Sequence, residues 1–172
     1  MAISAGSTAE PPARGGASAQ RVPTPDLGQL IAPEAVRIGA DAVDARAVLD
    51  ELAGMAAART GLAERAILDA LIARERLGST GVGHGVAVPH ARLAGLSAQT
   101  GALLRLARPV EFAAPDLQPC DLFVVLLAPV DAAGDHLKAL AALSRRLREA
   151  PVRAAMRAAP DADGVLGALL GA

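Results

Sequence analysis

The sequence predicts an α/β fold, a single layered domain in which a β-sheet is flanked by helices. Three observations carry that expectation. The run "DLFVVLLAP" from Asp121 is continuously apolar and bounded by Pro119 and Pro129, as a strand buried on both faces would be. Stretches with helical spacing lie both before and after it, so a sheet covered by helices follows. The length, 172 residues, suffices for one sizeable core and nothing in the composition calls for a second.

Taken in order, "LGQLIAPEAVRI" from Leu27 reads as a short helical turn leading into an extended piece. Asp41 is placed to cap a helix running through "DAVDARAVLDELAGMAAART", with Val43, Ala47, Val48, Leu52 and Met55 near one face and Gly61 as the stop. A second helix through "LAERAILDALIARERLG" has Ile67, Leu68, Leu71 and Ile72 as its apolar stripe. Arg74, Glu75 and Arg76 crowd its last turn, where basic side chains complement the helix dipole, and Gly78 ends it. "STGVGHG" is loop chemistry, and "VAVP" a short β-prone run, because Pro89 has no amide proton and pushes Val88 towards an extended backbone.

"TGALLRLARPV" from Thr100 alternates weakly, as a strand with one solvated face would. After the buried strand, "DHLKALAALSRRLRE" is amphipathic, with Leu137, Leu140, Ala141, Ser144 and Leu147 expected to face inward. A short helix over "VRAAMRAA" follows Pro151, and a terminal one over "DADGVLGALLG" is capped by Asp161 or Asp163. Residues 1–25, rich in Ala, Ser, Gly and Pro, read as a disordered leader, and the domain as 26–172.

Composition excludes several classes of function. Seventeen basic against 18 acidic residues give a formal charge of −1, no footprint for nucleic acid or an anionic membrane. With two Phe and neither Trp nor Tyr, stacking on bases is not a binding mode here. The longest apolar run is too short for a membrane helix and the leader has no signal-peptide core, so a cytoplasmic protein without membrane insertion is expected. The lone Cys120 suits a reducing compartment and reads as a structural thiol.

Chemistry concentrates in "GVGHGVAVPHARLAGL", residues 81–96, which holds His84 and His90; the third histidine is His136. "GSTGVGHG" lacks the Gly-Lys-Ser/Thr ending of a phosphate-binding loop, and a strand rather than a helix comes next, so neither nucleotide fingerprint fits. Three imidazoles could hold a zinc ion, but their spacing is not that of a helix-borne pair and no acid stands nearby to orient them. A nucleophilic histidine is the third reading: neutral imidazole has a lone pair to attack a phosphoryl group and needs positioning, positive charge and donors around it. His90 follows a proline at a strand end, with Arg92 after it and Arg74 at the end of the preceding helix. His136 falls in the first turn of a helix, where free N–H groups favour an anion, and can meet His90 if both strands end on one edge.

These residues carry a resemblance. "RERLGSTGVGHGVAVPHARL" closely resembles the active-site segment of the phosphotransferase-system EIIA domains of the fructose/mannitol type, and most closely the nitrogen-regulatory EIIA proteins. The likeness continues through "RPVEF", "DLFVVLLAP" and "DHLKALAALSRRLRE", from about Leu27 to the end. It implies an α/β fold with a mixed central β-sheet flanked by helices, that His90 is phosphorylated by a histidine phosphocarrier protein, that His136 and Arg74 contact the phosphoryl group, and that no metal or nucleotide cofactor takes part in the transfer. The resemblance also implies a phosphohistidine intermediate in a relay rather than a stand-alone catalyst. Its downstream partners would be regulatory targets, such as transporters or sensor kinases, or a sugar-specific EIIB domain. One position departs from the pattern: His84 stands where nitrogen-regulatory members usually have Asn and mannitol-type members an acid. A module that recognises partners without phosphate is the competing class.

Overall fold

A computed structural model describes residues 25–171, so all of the expected leader but Pro25 lies outside the described residues. The expected class is borne out. The first elements are a helical turn α1 (Leu27–Leu30), a 3-10 turn (Pro33–Ala35) and strand β1 (Val36–Ala40). Helix α2 (Ala45–Thr60) starts later than the sequence suggests, because Asp44 rather than Asp41 caps it, accepting from the Ala47 N–H at 2.8 Å. Val43 therefore precedes the helix and is exposed, while Gly61 closes it at a φ of 72°.

Helix α3 (Glu64–Arg76) buries Ile67, Leu68 and Leu71 as read from its stripe. Next, β2 (Gly81–Gly83) corrects the loop reading of "STGVGHG": it pairs antiparallel with β3 (Val86–Ala87) through the two-residue turn His84–Gly85. Its glycines concealed it, since they carry no β-propensity. Packing asks for one of them: a Cβ on Gly81 would lie 2.8 Å from the Ala114 Cα.

Strands β4 (His90–Leu93), β5 (Thr100–Val110) and β6 (Cys120–Pro129) complete the sheet, whose order is β1-β5-β6-β3-β2 with β4 also on β6. It is mixed: β1 is parallel to β5, β5 antiparallel to β6, and β3 and β4 parallel to β6. Val86 pairs with Leu122 and His90 with Leu126, so β3 and β4 share one register along β6. They form a single track interrupted at Val88–Pro89, where proline has no donor for the ladder. His90 thus opens a strand instead of ending one.

Burial on β6 alternates between two layers. Phe123, Val125 and Leu127 pack with α2 and α3, and Leu122, Val124 and Leu126 with the helices of the opposite face. Those helices are α4 (Ala133–Arg148), α5 (Ala150–Ala158) and α6 (Ala162–Leu170), the last capped by Asp161. β5 is also covered on both faces over Thr100–Leu104, against the expected solvated face. Its Arg105 misled the reading: the guanidinium donates to the carbonyls of Met156, Arg157 and Ala159 at the end of α5. The inward stripe of α4 is His136, Ala139, Ala142, Leu143 and Leu147, leaving Leu137 and Ala141 outside. A helix start two residues before Asp135 does not alter that phase; the sheet simply receives the face that carries His136. Among the described residues no helix is long and apolar enough to cross a membrane.

Candidate functional site

The β3–β4 track sends Val88, His90 and Arg92 towards the α4 layer, by the two-residue period of an extended chain. α4 begins a few residues beyond the end of β6, the strand that pairs with β4, and presents His136 from its first turn. The two rings come within 5.6 Å of each other, centroid to centroid, tilted by 51°. From the other side, the last turn of α3 brings Arg74 to His90: its Nε–H donates to Nε2 at 3.0 Å, while its NH1 donates to the Gly78 carbonyl at 2.9 Å.

These contacts define the protonation of His90. The Val88 carbonyl lies 2.8 Å from Nδ1 and can only accept, so Nδ1 carries the proton. The guanidinium can only donate, so Nε2 keeps its lone pair. Burial lowers the His90 pKa from the ordinary 6.5; the Val88 carbonyl and the Glu75 carboxylate act against burial, and the Arg74 charge with it. His136 is 7% exposed and its Nδ1 has no hydrogen-bond partner. Burial, followed by the neighbouring His90 and Arg92, pushes its pKa down to about 4. Both rings are consequently neutral at neutral pH.

Around them the site is open and positively charged. A groove of about 430 Å³ runs along Ala70, Arg74, Leu77, Ala91, Arg92 and Val130. Arg92 donates to the Val130 carbonyl at 3.0 Å, tying β4 to the turn that leads into α4. No side chain caps α4, so the first N–H groups of that helix are free of side-chain partners. A roomier cavity of about 550 Å³ beside Arg59 and Thr100 contains neither of the arginines, Arg74 and Arg92, that the groove shares with the site.

His84 stands apart. It turns the corner between β2 and β3 beside Asp121, at the start of β6, whereas His90 pairs with Leu126 five residues along that strand. At about 3.3 Å per residue the two are roughly 16 Å apart along the sheet. Its φ is 58° and that of Gly85 is 76°, the left-handed pair of a tight hairpin turn. Asn adopts that conformation most readily and His is among the other residues that do. His84 is therefore suited to this turn, which is fixed by Asp116 accepting from its N–H at 2.7 Å and Arg157 donating to its carbonyl at 2.8 Å. Nothing gathers the histidines round a metal: among the described residues no group of three His, Cys, Asp or Glu side chains could hold one. Cys120 is buried and its thiol is pushed up to about 12 by burial, in keeping with a structural role.

Comparison with known proteins decides the family. The family model for the EIIA 2 domain of the phosphoenolpyruvate-dependent sugar phosphotransferase system matches residues 29–170. The chain belongs to this family. Among curated EIIA relatives, a nitrogen regulatory protein of Bradyrhizobium diazoefficiens is 44% identical over 143 residues, covering 83% of this chain and 94% of that one. The nitrogen regulatory protein of Pseudomonas aeruginosa is 37% identical over 140 residues, covering 81% and 91%. Among solved EIIA structures, nitrogen regulatory protein IIA-Ntr from Neisseria meningitidis superposes with a TM-score of 0.80 at 32% identity, covering 83% of this chain and 98% of its own. IIA mannitol from Escherichia coli shares the fold, with a TM-score of 0.67 at 18% identity.

Sequence reading missed the groups that hold His90 through the backbone. The Val88 and Gly78 carbonyls carry no side-chain signal at all. Glu75 looked like one more charge at a helix end, yet its carboxylate accepts from the Thr80 N–H at 2.9 Å and from the Thr80 hydroxyl at 2.6 Å. The spacing of five residues across the Gly78 turn is the signal that could have found it.

Proposed function

We propose that this EIIA domain is a phosphocarrier that accepts a phosphoryl group on Nε2 of His90 from a histidine phosphocarrier protein, and that regulatory partners read its phosphorylation state. The observation that carries the reading is the single tautomer of His90, with its lone pair on Nε2 and an arginine against that atom. In the transfer the Nε2 lone pair forms the new P–N bond. The bond from phosphorus to the donor's ring nitrogen breaks, and its electron pair returns to the donor ring. The His90 proton stays on Nδ1, donated to the Val88 carbonyl, so the phosphorylated ring is an imidazolium and no proton need leave.

Phosphoryl transfer asks the protein chiefly for position and charge. On arrival of the phosphoryl group the Arg74 N–H moves from Nε2 to a phosphoryl oxygen; His136, with its ring centroid 5.6 Å from that of His90, adds a donor, and Arg92 adds positive charge beside His136. A shallow, open site suits a donor that is itself a protein, because the donor histidine must reach within bonding distance. The modified domain then gains about −1.5 to −2 charges beside a groove bordered by the exposed apolar side chains of Leu77 and Val130. That changes what the surface can bind.

The nitrogen-regulatory relatives favour a regulatory output through targets such as transporters or sensor kinases. One observation favours passage to an EIIB domain instead: a fructose-specific EIIA component of Haloferax volcanii is 43% identical over 88 residues, 51% of this chain. Incubation with phosphoenolpyruvate, enzyme I and the histidine phosphocarrier tests the common core of both. Acid-labile phosphate is expected on the wild type and absent from His90→Ala; label that persists in the variant, or never appears with competent donors, refutes it.

A further inference from the structure

The residue next to Arg74 reaches the opposite nitrogen of the same ring. The Glu75 carboxylate accepts both the N–H and the hydroxyl of Thr80, at 2.9 and 2.6 Å. The Thr80 carbonyl accepts the Val88 N–H at 2.9 Å. The Val88 carbonyl accepts His90 Nδ1–H at 2.8 Å. Each link is oriented the same way, with a donor pointing towards the carboxylate: Glu75 anchors Thr80, the Thr80 carbonyl anchors Val88 and the Val88 carbonyl holds the ring, while the carboxylate charge acts on the ring through space. Thr80 is 6% exposed and Glu75 is half-buried, which limits screening by water.

We propose that Glu75 is a positioning residue for phosphoryl acceptance: through Thr80 and Val88 it holds the proton on Nδ1 of His90 and supports the positive charge that the ring acquires when Nε2 takes phosphorus. The proposal rests on the reading of His90 as acceptor. Its logic is that of the buried carboxylate behind a catalytic imidazole, which fixes the tautomer and stabilises the imidazolium. Here the carboxylate acts by anchoring Thr80 and Val88 and by its charge, instead of by direct contact. The charged or titratable groups round the ring are Arg74 and Glu75 from α3, Arg92 from its own strand and His136 from α4. Glu75 alone among them is negative. Consecutive residues on one helix end thereby grip the ring from both sides, Arg74 presenting a cation to the attacking nitrogen and Glu75 anchoring the residues that hold the protonated one.

The test combines a rate with a titration. In Glu75→Gln the amide accepts one of the two Thr80 bonds and carries no charge. The single-turnover rate of transfer from the phosphorylated phosphocarrier is expected to fall roughly 10- to 100-fold, the usual cost of losing a group that orients a reactive one. The His90 titration, followed by ring 15N shifts in the unphosphorylated protein, moves to lower pH, and so does that of the phosphorylated ring. A variant that merely loosened the helix end would leave both titrations where they are. Thr80→Val, which keeps the backbone links and loses the hydroxyl, shifts both readouts in the same direction by less, and Thr80→Ser restores them. An unchanged rate and unchanged His90 titration in folded Glu75→Gln overturns the proposal; should that variant not fold, the same result in Thr80→Val overturns it. Failure of the wild type to accept phosphate defeats the functional reading alone, because the titration of the unphosphorylated ring still decides the role of Glu75.

Discussion

Replacing Arg74 by Ala removes two contacts: the donation to His90 Nε2 at 3.0 Å and the strut to the Gly78 carbonyl at 2.9 Å. The first contact is on the nitrogen proposed to attack phosphorus, so any phosphoryl group that bonds there arrives among the guanidinium donors. Loss of one preorganised donor at a site of developing charge costs about 2.7 to 4 kcal/mol, a factor of roughly 10² to 10³ in rate. Arg74→Lys keeps the charge, but one ammonium cannot span both His90 and the Gly78 carbonyl, so its rate falls between those of wild type and Arg74→Ala. The pH profile should move as well. Arg74 lowers the His90 pKa, so without it the ring protonates at higher pH and the acid limb of the transfer profile shifts upward. Rapid-quench transfer of labelled phosphate from the phosphocarrier, under single-turnover conditions and across pH, reads both effects. A folded Arg74→Ala with the wild-type rate and profile would refute the assignment.

His136→Ala is expected to slow the same transfer while circular dichroism shows the fold retained; unchanged kinetics would return His136 to a purely structural place in α4. The unfolded chain holds His136 near 6.5 and the folded one holds it at about 4, so between these values the unfolded state binds more protons. Stability against urea therefore declines as pH falls from 6.5 towards 4, and His136→Gln lessens that decline. Gly81→Ala puts a Cβ 2.8 Å from the Ala114 Cα and should lower stability by about 1 to 3 kcal/mol, read as a shift in urea midpoint.

The sheet core was legible because β6 is buried on both faces, and an unbroken apolar run between prolines has few other readings. The helices were legible from their periodic stripes, but their phase was not. On α4 the choice between Leu137 and His136 as the inward residue depends on what the sheet offers opposite, and a hydrophobic ranking alone prefers leucine. β2 escaped notice because its three residues include two glycines, kept by contacts that only the folded chain makes. Arg105 escaped for the converse reason: a charge in a strand looks solvated until a helix end arrives to accept it. For the candidate site, His90, His136 and Arg74 stood out as side-chain chemistry. The carbonyls that fix the tautomer did not, since every residue has one.

The interruption at Pro89 links these levels. A continuous strand would spend the Val88 and His90 backbone groups wholly on ladder partners. With proline next, the Val88 N–H still goes to the Thr80 carbonyl, which continues the β2–β3 register, while the Val88 carbonyl is left for the His90 ring. Pairing then resumes in the same register, so the ring stands on a rigid strand and not on a loop. Thr80 reaches that position because the Gly78 turn ends α3 immediately beside it, and the same turn offers Arg74 the carbonyl that aims it. One proline and one short turn therefore divide the ring between two neighbouring residues of opposite charge. Lengthening the segment between Arg76 and Thr80 by a single residue should disturb both grips at once, a coupled loss that independent contacts would not show.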